Sequence, residues 1–395
     1  MPHHSQLAVI GGGPAGLRAA EVAASAGLQV TLYDGKPSVG RKFLVAGKGG
    51  LNLTHGEPLD RFVTRYSSPG QPAEIWESLI AGFDPVALRN WAAGLGVETF
   101  QATSGRIYPQ ALKAAPLLRR WVERLRGLGV RFEMNCRLTS LEPSRNYQLG
   151  FSNGSVATAD SIILALGGGS WARTGSDGGW ISIFKIHGIA IRALAPANCG
   201  WEHAWPPGVL AAAEGKPLKN IHVRAGDQLA VGELMVTCYG LEGGAIYQLG
   251  TTLRAMPDPA IAIDFKPTFT HVQLIAKMES VRRDFLTEAR VRWKLGDSAH
   301  AIIARKTYTD VDSLAREVKH CVIPLTRPRP LDEAISSAGG ICWSELDKGL
   351  MLKKLPGVFV AGEMIDWEAP TGGYLMQGCL ATATRAADAA VEWLG

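Results

Sequence analysis

Two periods run through the apolar positions of this chain, and the switches between them mark its elements. Gln6–Ile10 is a short apolar run closed by glycine, which predicts a buried strand. The Ala-rich stretch Leu17–Ala26 predicts a helix, and Gln29–Tyr33 a second strand. Asp84-Pro85 pairs an N-cap with a first-turn proline and opens a helix through Leu95. Leu117, Leu118, Trp121, Val122, Leu125 and Leu128 recur at helical spacing and predict a helix over Lys113–Leu128, stopped by Gly129. Short strands are expected near Val130–Met134, Arg137–Leu141, Tyr147–Phe151 and Ser155–Thr158, and a fully apolar one at Ser161–Ala165. Past about Arg192 the pattern changes. Residues 193–268 look β-rich with turns, including Gly232–Tyr239 and Ala260–Phe265, and 269–320 carry more charge and more helix formers. The first kind of pattern returns with the apolar run Gly357–Ala361 and a last helix from about Gln377 to Leu394, while Gly35–His55 reads as a glycine-rich basic loop.

The glycines sharpen this outline. The chain has 395 residues and 46 glycines, well above a usual share of roughly 7%, and the excess is clustered. Clusters fall at Gly11–Gly16, Gly47–Gly50, Gly167–Gly169 and Gly372–Gly373, which argues for close approach of backbone to a ligand. The first follows a predicted strand and opens a predicted helix. In that setting G-x-G-x-x-G has a physical meaning: Gly11 for the tight turn, Gly13 for approach to a pyrophosphate, and Gly16 for close helix–strand packing. The N–H groups at the helix start face the phosphates. Asp34 ends the second strand where a carboxylate can accept hydrogen bonds from an adenosine ribose. Two further glycine turns also end apolar strands, Ala165–Ser170 and Val360–Glu363. Ligands of parallel sheets bind beyond the carboxyl ends of the strands, so the three turns fit one extended dinucleotide. Glu363 is placed for a polyhydroxyl chain, and FAD has a ribitol there. The fold expected is α/β: a Rossmann-like domain of parallel sheet plus β-meander in 1–192 and 337–395, split by an inserted β-barrel-like domain, 193–336, that carries the helical segment.

Composition and charge limit the alternatives. The six cysteines, Cys136, Cys199, Cys238, Cys321, Cys342 and Cys379, form no C-x-x-C pair, so no zinc knuckle or redox disulfide is signalled and no metal is expected. The start MPHHSQ leads directly into a strand, with no signal-peptide pattern and no long uncharged apolar run. A cytoplasmic protein without a membrane partner is expected. The net charge of +5 is small for this length, and the local run Arg282, Arg283, Arg290, Arg292 and Lys294 reads as a solvated helix face before it reads as a nucleic-acid surface.

Four stretches carry a family resemblance: Gly11–Gly16, Gly40–His55, Gly232–Ile246 and Gly357–Cys379. Through them the chain resembles two-dinucleotide-binding-domain flavoproteins, and within these the HI0933/YhiN-like (aminoacetone oxidase) FAD-binding family. The resemblance implies that Gly11, Gly13, Pro14, Ala15 and Gly16 hold the pyrophosphate and Asp34 the adenosine ribose, with Gly35, Lys36 and Gly40 beside them. It implies phosphate or ribose contacts near the flavin from Arg41 and Lys42, adenine contacts from Arg137 and Leu138, and further cofactor contacts from Ala165, Leu166 and Gly167. Gly362 and Glu363 would hold the pyrophosphate–ribitol region. Gly372, Gly373, Tyr374, Leu375 and Met376 would bring backbone N–H groups and a helix N-terminus to the flavin's pyrimidine edge, where reduced flavin carries negative charge. Three departures from the family pattern stand out: Gly50-Leu51-Asn52 where Arg-Cys-Asn is usual, Asp34 for Glu, and Thr237-Cys238-Tyr239-Gly240 for Thr-His-Tyr-Gly. The first removes the obvious thiol near the ring.

The expected function is FAD-dependent oxidation or reduction of a small organic molecule by hydride transfer at flavin N5. Alternatives are an amine-type oxidase using oxygen, a tRNA-modifying flavoprotein and a non-catalytic flavin-binding protein. Non-covalent FAD is expected, because no attachment motif is present. With no second G-x-G-x-x-G, NAD(P)H would visit only transiently as donor. Candidate catalytic residues are Lys48 among the glycines, Tyr239 in the insertion and Arg173 after the second glycine turn. Each also has a bland reading: a solvated lysine, a half-buried strand tyrosine, a surface arginine. His55 reads as a loop-capping residue, and Trp171 and Trp367 as either flavin shields or core. Substrate is expected between the flavin face and the inserted domain.

Overall fold

The computed structural model describes residues 3–144 and 146–395, apart from the side chains of residues 3–5 and of Lys48. Its strand Val156–Leu164 runs through both of the strands expected at Ser155–Thr158 and Ser161–Ala165. The polar residues do not interrupt it, because they satisfy themselves at its edges. Asp160 accepts from the Asn146 side chain at 2.6 Å, and Ser161 donates to the Gly357 carbonyl at 2.7 Å. One edge of this strand pairs in parallel with β1 (His3–Ile10). The other edge is shared between antiparallel Tyr147–Phe151 at its start and parallel Val358–Val360 at its end. The full sheet runs Arg131–Met134, β2 (Val30–Asp34), β1, Val156–Leu164, Tyr147–Phe151, Leu138–Glu142. A parallel half and a meander therefore share one central strand, and the ends of β1, β2, Val156–Leu164 and Val358–Val360 fall on one side.

Helix α1 (Pro14–Ser25) follows β1 through the glycine turn. A Cβ on Gly16 would lie 1.8 Å from the Gly11 carbonyl oxygen, and one on Gly11, where φ is +109°, 2.3 Å from the Ala165 carbonyl oxygen. The outer side of α1 is fixed by its buried Glu21. One carboxylate oxygen accepts from the indoles of Trp91 and Trp121, both at 2.8 Å, and the other from Arg124 at 2.9 Å. These partners sit on the helices Pro85–Gly94 and Ala114–Gly127, where the apolar spacing places them. Asp84 caps the first of these by accepting from the Ala87 N–H at 2.7 Å.

Two local expectations are corrected. Gly35–His55 is not all loop: it holds α2 (Arg41–Ala46), a 3-10 turn and the two-residue strand Thr54–His55. Helix α2 buries Phe43 and little else, too weak an apolar signal to stand out among charges and glycines. The last helix begins at Tyr374, not Gln377, because Gly373, at φ +108°, is itself the left-handed residue before its first turn.

The chain divides into two compact units, Met1–Ala195 with Ser336–Gly395, and Pro196–Ile335. The second holds an antiparallel six-stranded sheet in the order Trp201–Glu202, Gly240–Glu242, Gln228–Thr237, Pro217–Ala225, Ala260–Asp264, Cys321–Pro324. Its ends curl together. Glu202 N–H donates to the Arg327 carbonyl and Thr326 N–H to the Glu202 carbonyl, each at 2.9 Å, just past the last strand. Four helices between His271 and Lys319 pack with this sheet around a core that includes Trp293, Ile263 and Val223. The stretch 193–268 also contains the helices Pro207–Ala213, Gly244–Gln248 and Gly250–Ala255, each too short to show a period among glycines. Among the described residues no helix is long and apolar enough to cross a membrane.

Candidate functional site

A pocket opens where the strand ends of the first unit meet. Its walls include Gly11–Ala15 from the β1 turn, Asp34–Lys36 from the end of β2, and Ala165–Gly167 and Ala361–Glu363 from the other two strand ends. Gly40, Arg41 and Lys42 from the start of α2, with Arg137 and Leu138, close it further.

At one end stands Asp34. Its two oxygens accept from the backbone N–H of Gly12 and of Lys36, each at 2.7 Å. Burial pushes this carboxyl above its ordinary value, and the two N–H donors oppose the rise. At the other end Lys42 donates to Glu363 and to Ser170, both at 2.7 Å. The acid expected to hold a ribitol is thus already paired with the cation expected beside it. Cys379 of the last helix lies against the same wall, its thiol pushed up by burial and by Glu363.

Between the two ends the pocket suits an extended diphosphate. A Cβ on Gly13 would meet nothing within 4 Å, so the backbone is open to a ligand there. The first turn of α1 carries no acidic residue, and its N–H groups have no partners within the helix. Lys36, Arg41, Lys42 and Arg137 line the pocket against the carboxylates Asp34, Asp177 and Glu363. Ser176 lines it with a buried hydroxyl that has no hydrogen-bond partner among the described residues. The residues present fit a dinucleotide such as FAD.

Some expected residues stand elsewhere. Gly16 packs beneath the turn, against the Gly11 carbonyl. Gly372, Gly373, Tyr374, Leu375 and Met376 are not among the pocket's walls. A Cβ on Gly373 would approach the Thr54 carbonyl carbon to 2.4 Å, so the second and fourth motifs meet there. The Tyr374 hydroxyl donates to Glu57 at 2.6 Å, its carbonyl accepts from Tyr66 at 2.8 Å, and its ring stacks on His55 at 5.3 Å. His55 accepts at Nδ1 from the Glu57 N–H and meets the Ser104 carbonyl at Nε2, a capping arrangement. Trp367 is buried and donates to the Gly362 carbonyl at 2.8 Å. Arg173 is exposed and outside the pocket. The Lys48 side chain lies outside the described residues. Tyr239, in the second unit, donates to Glu242 at 2.9 Å, with the Arg329 guanidinium 4.4 Å over its ring. Burial and the Glu242 charge push its pKa up to about 12.

No periodic pattern in the sequence points to the segment Thr174–Trp180. It contributes Thr174, Gly175, Ser176, Asp177 and Trp180 to the pocket, and Asp177 accepts from Arg137 at 2.6 Å. Its two left-handed glycines, Gly175 and Gly178, were the available signal.

A dinucleotide pocket of this construction is that of a Rossmann-type FAD-dependent oxidoreductase, and this chain is a flavoprotein of that class. It belongs to the family described as HI0933-like protein Rossmann domain, whose family model matches residues 5–389. Among curated relatives, the 3-dehydro-bile acid delta(4,6)-reductase of Clostridium scindens is 26% identical over 98% of this chain and 99% of its own length. The ribosomal RNA dihydrouridine synthase of Escherichia coli is 22% identical over 93% of this chain and 94% of its own. Among solved structures, the 3-ketosteroid-delta4-(5alpha)-dehydrogenase of Rhodococcus jostii shares the fold, with a TM-score of 0.54 at 16% identity over 98% of this chain and 97% of that one.

Proposed function

We propose that this protein reduces an activated carbon–carbon double bond, one conjugated to a carbonyl, in a small apolar molecule, using non-covalently bound FAD. The observation that carries the cofactor part of this reading is the pocket with Asp34 at one end and the Lys42–Glu363 pair at the other. The reduction itself is supported by a reductase relative aligned over nearly the full length of both chains. When bound, FAD supplies hydride exchange at N5, with NAD(P)H as the visiting electron donor.

In this reading the chain's own groups bind and orient. Asp34 takes the adenosine ribose, and the start of α1 takes the diphosphate. Lys42 holds Glu363 in place, so that the carboxylate meets hydroxyls of the polyol in a fixed geometry. RNA as substrate ranks second. In the basic run, Arg290 is paired with Asp297 at 2.9 Å and Arg292 with Glu288 at 2.8 Å, which leaves less charge for phosphates.

The test uses purified protein. Acid denaturation should release FAD and leave no flavin on the precipitate. Anaerobic NADH or NADPH should bleach the flavin, and an enone should restore its colour faster than an equal concentration of amine or of RNA. FMN in the supernatant, or reoxidation by none of the enones tested, would overturn the proposal.

A further inference from the structure

We propose that the second unit carries a binding site of its own, for a small organic anion with an aliphatic body and one oxyanion head. The site stands apart from the dinucleotide pocket and does not depend on the reductase reading.

The place is a cavity of about 520 Å³ along the helices Pro207–Ala213 and Asp297–Ile303, which pack on each other. Small-molecule sites run to roughly 300–1,000 Å³. Every residue that lines the cavity belongs to Pro196–Ile335. Its floor is aliphatic: Val209 and Ala301 are buried, with Pro206, Ala212 and Ala304 beside them. Gly208 adds room, since a Cβ there would meet nothing within 4 Å.

The polar lining is cationic. Lys216, Arg290 and Arg305 line the cavity with one carboxylate, Asp297. Asp297 takes Lys216 on one oxygen at 3.2 Å and Arg290 on the other at 2.9 Å, an exposed rim. Arg305 sits deeper, its side chain 14% exposed. Its contacts all run through Nη2: to the Val322 carbonyl at 2.9 Å, Cys321 Sγ at 3.5 Å and Glu317 at 3.6 Å. Glu317 is shared with Lys306, which holds it at 2.7 Å. Two carboxylates therefore serve four cations.

Donors are also left over. Among the described residues Nη1 and Nε of Arg305 have no acceptor, and the His300 ring, which lines the same cavity, makes no hydrogen bond. Burial and Arg290 hold that imidazole below its ordinary value, so the neutral ring presents one N–H. Half-buried donors are satisfied in folded proteins as a rule, and an oxyanion is the acceptor that the surplus positive charge favours. A surface ion-pair patch would have neither the cavity nor an enclosed guanidinium with unused N–H groups. The aliphatic floor adds the second requirement, an apolar body that a bare inorganic ion lacks.

The experiment is calorimetric titration of the full-length protein saturated with FAD, so that the dinucleotide pocket is filled. The probes are octanoate, octylammonium, acetate and a short single-stranded RNA. Octanoate should bind at one equivalent, acetate about tenfold or more weakly, and octylammonium not at all. Arg305→Met keeps the bulk, leaves Lys306 to hold Glu317, and should raise the octanoate Kd about tenfold or more. Arg290→Glu changes an exposed rim residue and should raise it about threefold or more. No binding of octanoate, equal binding of octylammonium or acetate, or an octanoate Kd unchanged in Arg305→Met would overturn the proposal. If Arg305→Met melts lower than wild type, Arg290→Glu decides, and an unchanged Kd there overturns it. RNA that displaces octanoate at a lower concentration would also overturn it and give the cavity to nucleic-acid phosphates.

Discussion

The dinucleotide pocket of the first unit and the Tyr239–Glu242–Tyr247 cluster of the second are assembled by different means. The pocket is made by strand ends far apart in sequence, and much of its surface is backbone: the Gly11–Gly13 turn, Ala165–Gly167, Ala361–Gly362. The cluster is made by side chains from one short stretch of chain. Tyr239 and Tyr247 donate to the two oxygens of Glu242 at 2.9 and 3.1 Å, and Arg329 covers the Tyr239 ring. A backbone-built site tolerates almost no added atoms but is indifferent to many side chains. A side-chain-built cluster changes character with one carboxylate.

The sharpest way to break this contrast is to add one methyl group. Gly16→Ala would set a Cβ 1.8 Å from the Gly11 carbonyl oxygen, backbone against backbone with no flexible side chain to yield. The turn has to open, and overpacking of this kind costs about 1–3 kcal/mol or more. Purified Gly16→Ala should hold little FAD and melt lower than wild type. Normal FAD content in that variant would show that the turn can relax, and the contrast would be lost.

A network inside the first unit sharpens the comparison without leaving that unit. Glu21 is buried, 4% exposed, and serves two indoles and Arg124. Glu21→Ala would leave both buried indoles without this acceptor and take away the carboxylate partner of Arg124, and breaking a buried charged network costs about 3–5 kcal/mol. Urea unfolding should show a loss of that order. A loss under about 1 kcal/mol would mean that water replaces the carboxylate.

Glu363, like Asp34, is a place where the backbone-built pocket does depend on a side chain. Glu363→Ala removes the partner of Lys42 and, in the proposed reading, the acceptor for the polyol. Charge-assisted hydrogen bonds are worth about 1.5–3 kcal/mol each, so FAD affinity should fall roughly ten- to hundredfold. Equal affinity by fluorescence titration would show that the carboxylate does not face the cofactor.

The same difference in construction explains what the sequence made legible. Gly11, Gly13 and Gly16 could be given steric reasons from spacing and context alone, and Asp34 followed from the end of β2. The sequence pattern splits the central strand in two because the polar Asp160 reads as a break, whereas in the fold Asn146 pairs with it. Ser176 and Asp177 are not legible in the sequence because a loop's path across a pocket has no period. Glu363 was singled out, but its partner Lys42 lies 321 residues away, and no local pattern joins them. Tyr239 stands out for its motif, whereas its charge environment comes from Glu242, three residues on, and from Arg329, which only the fold brings to it.

That environment gives the smallest expected effect and the most direct test of the side-chain half of the comparison. The Tyr239 hydroxyl is pushed up to about 12 by burial first and by the Glu242 carboxylate next. An ordinary tyrosine titrates near 10. Because the folded value is the higher one, the stability linked to this group is fully present below the ordinary tyrosine range. It is lost as pH rises from there through the folded value, near 12. Glu242→Gln removes the negative charge and leaves the burial. Tyr239 should then titrate between the ordinary tyrosine value and its present one, and the alkaline loss of stability should be shallower than in wild type. Ultraviolet difference titration, with Tyr239→Phe subtracted to isolate this phenol from the others, measures the first. Chemical denaturation across the alkaline range measures the second. If Tyr239 titrates identically in the wild type and in the Glu242→Gln variant, burial alone sets its proton affinity and a single carboxylate does not control this cluster.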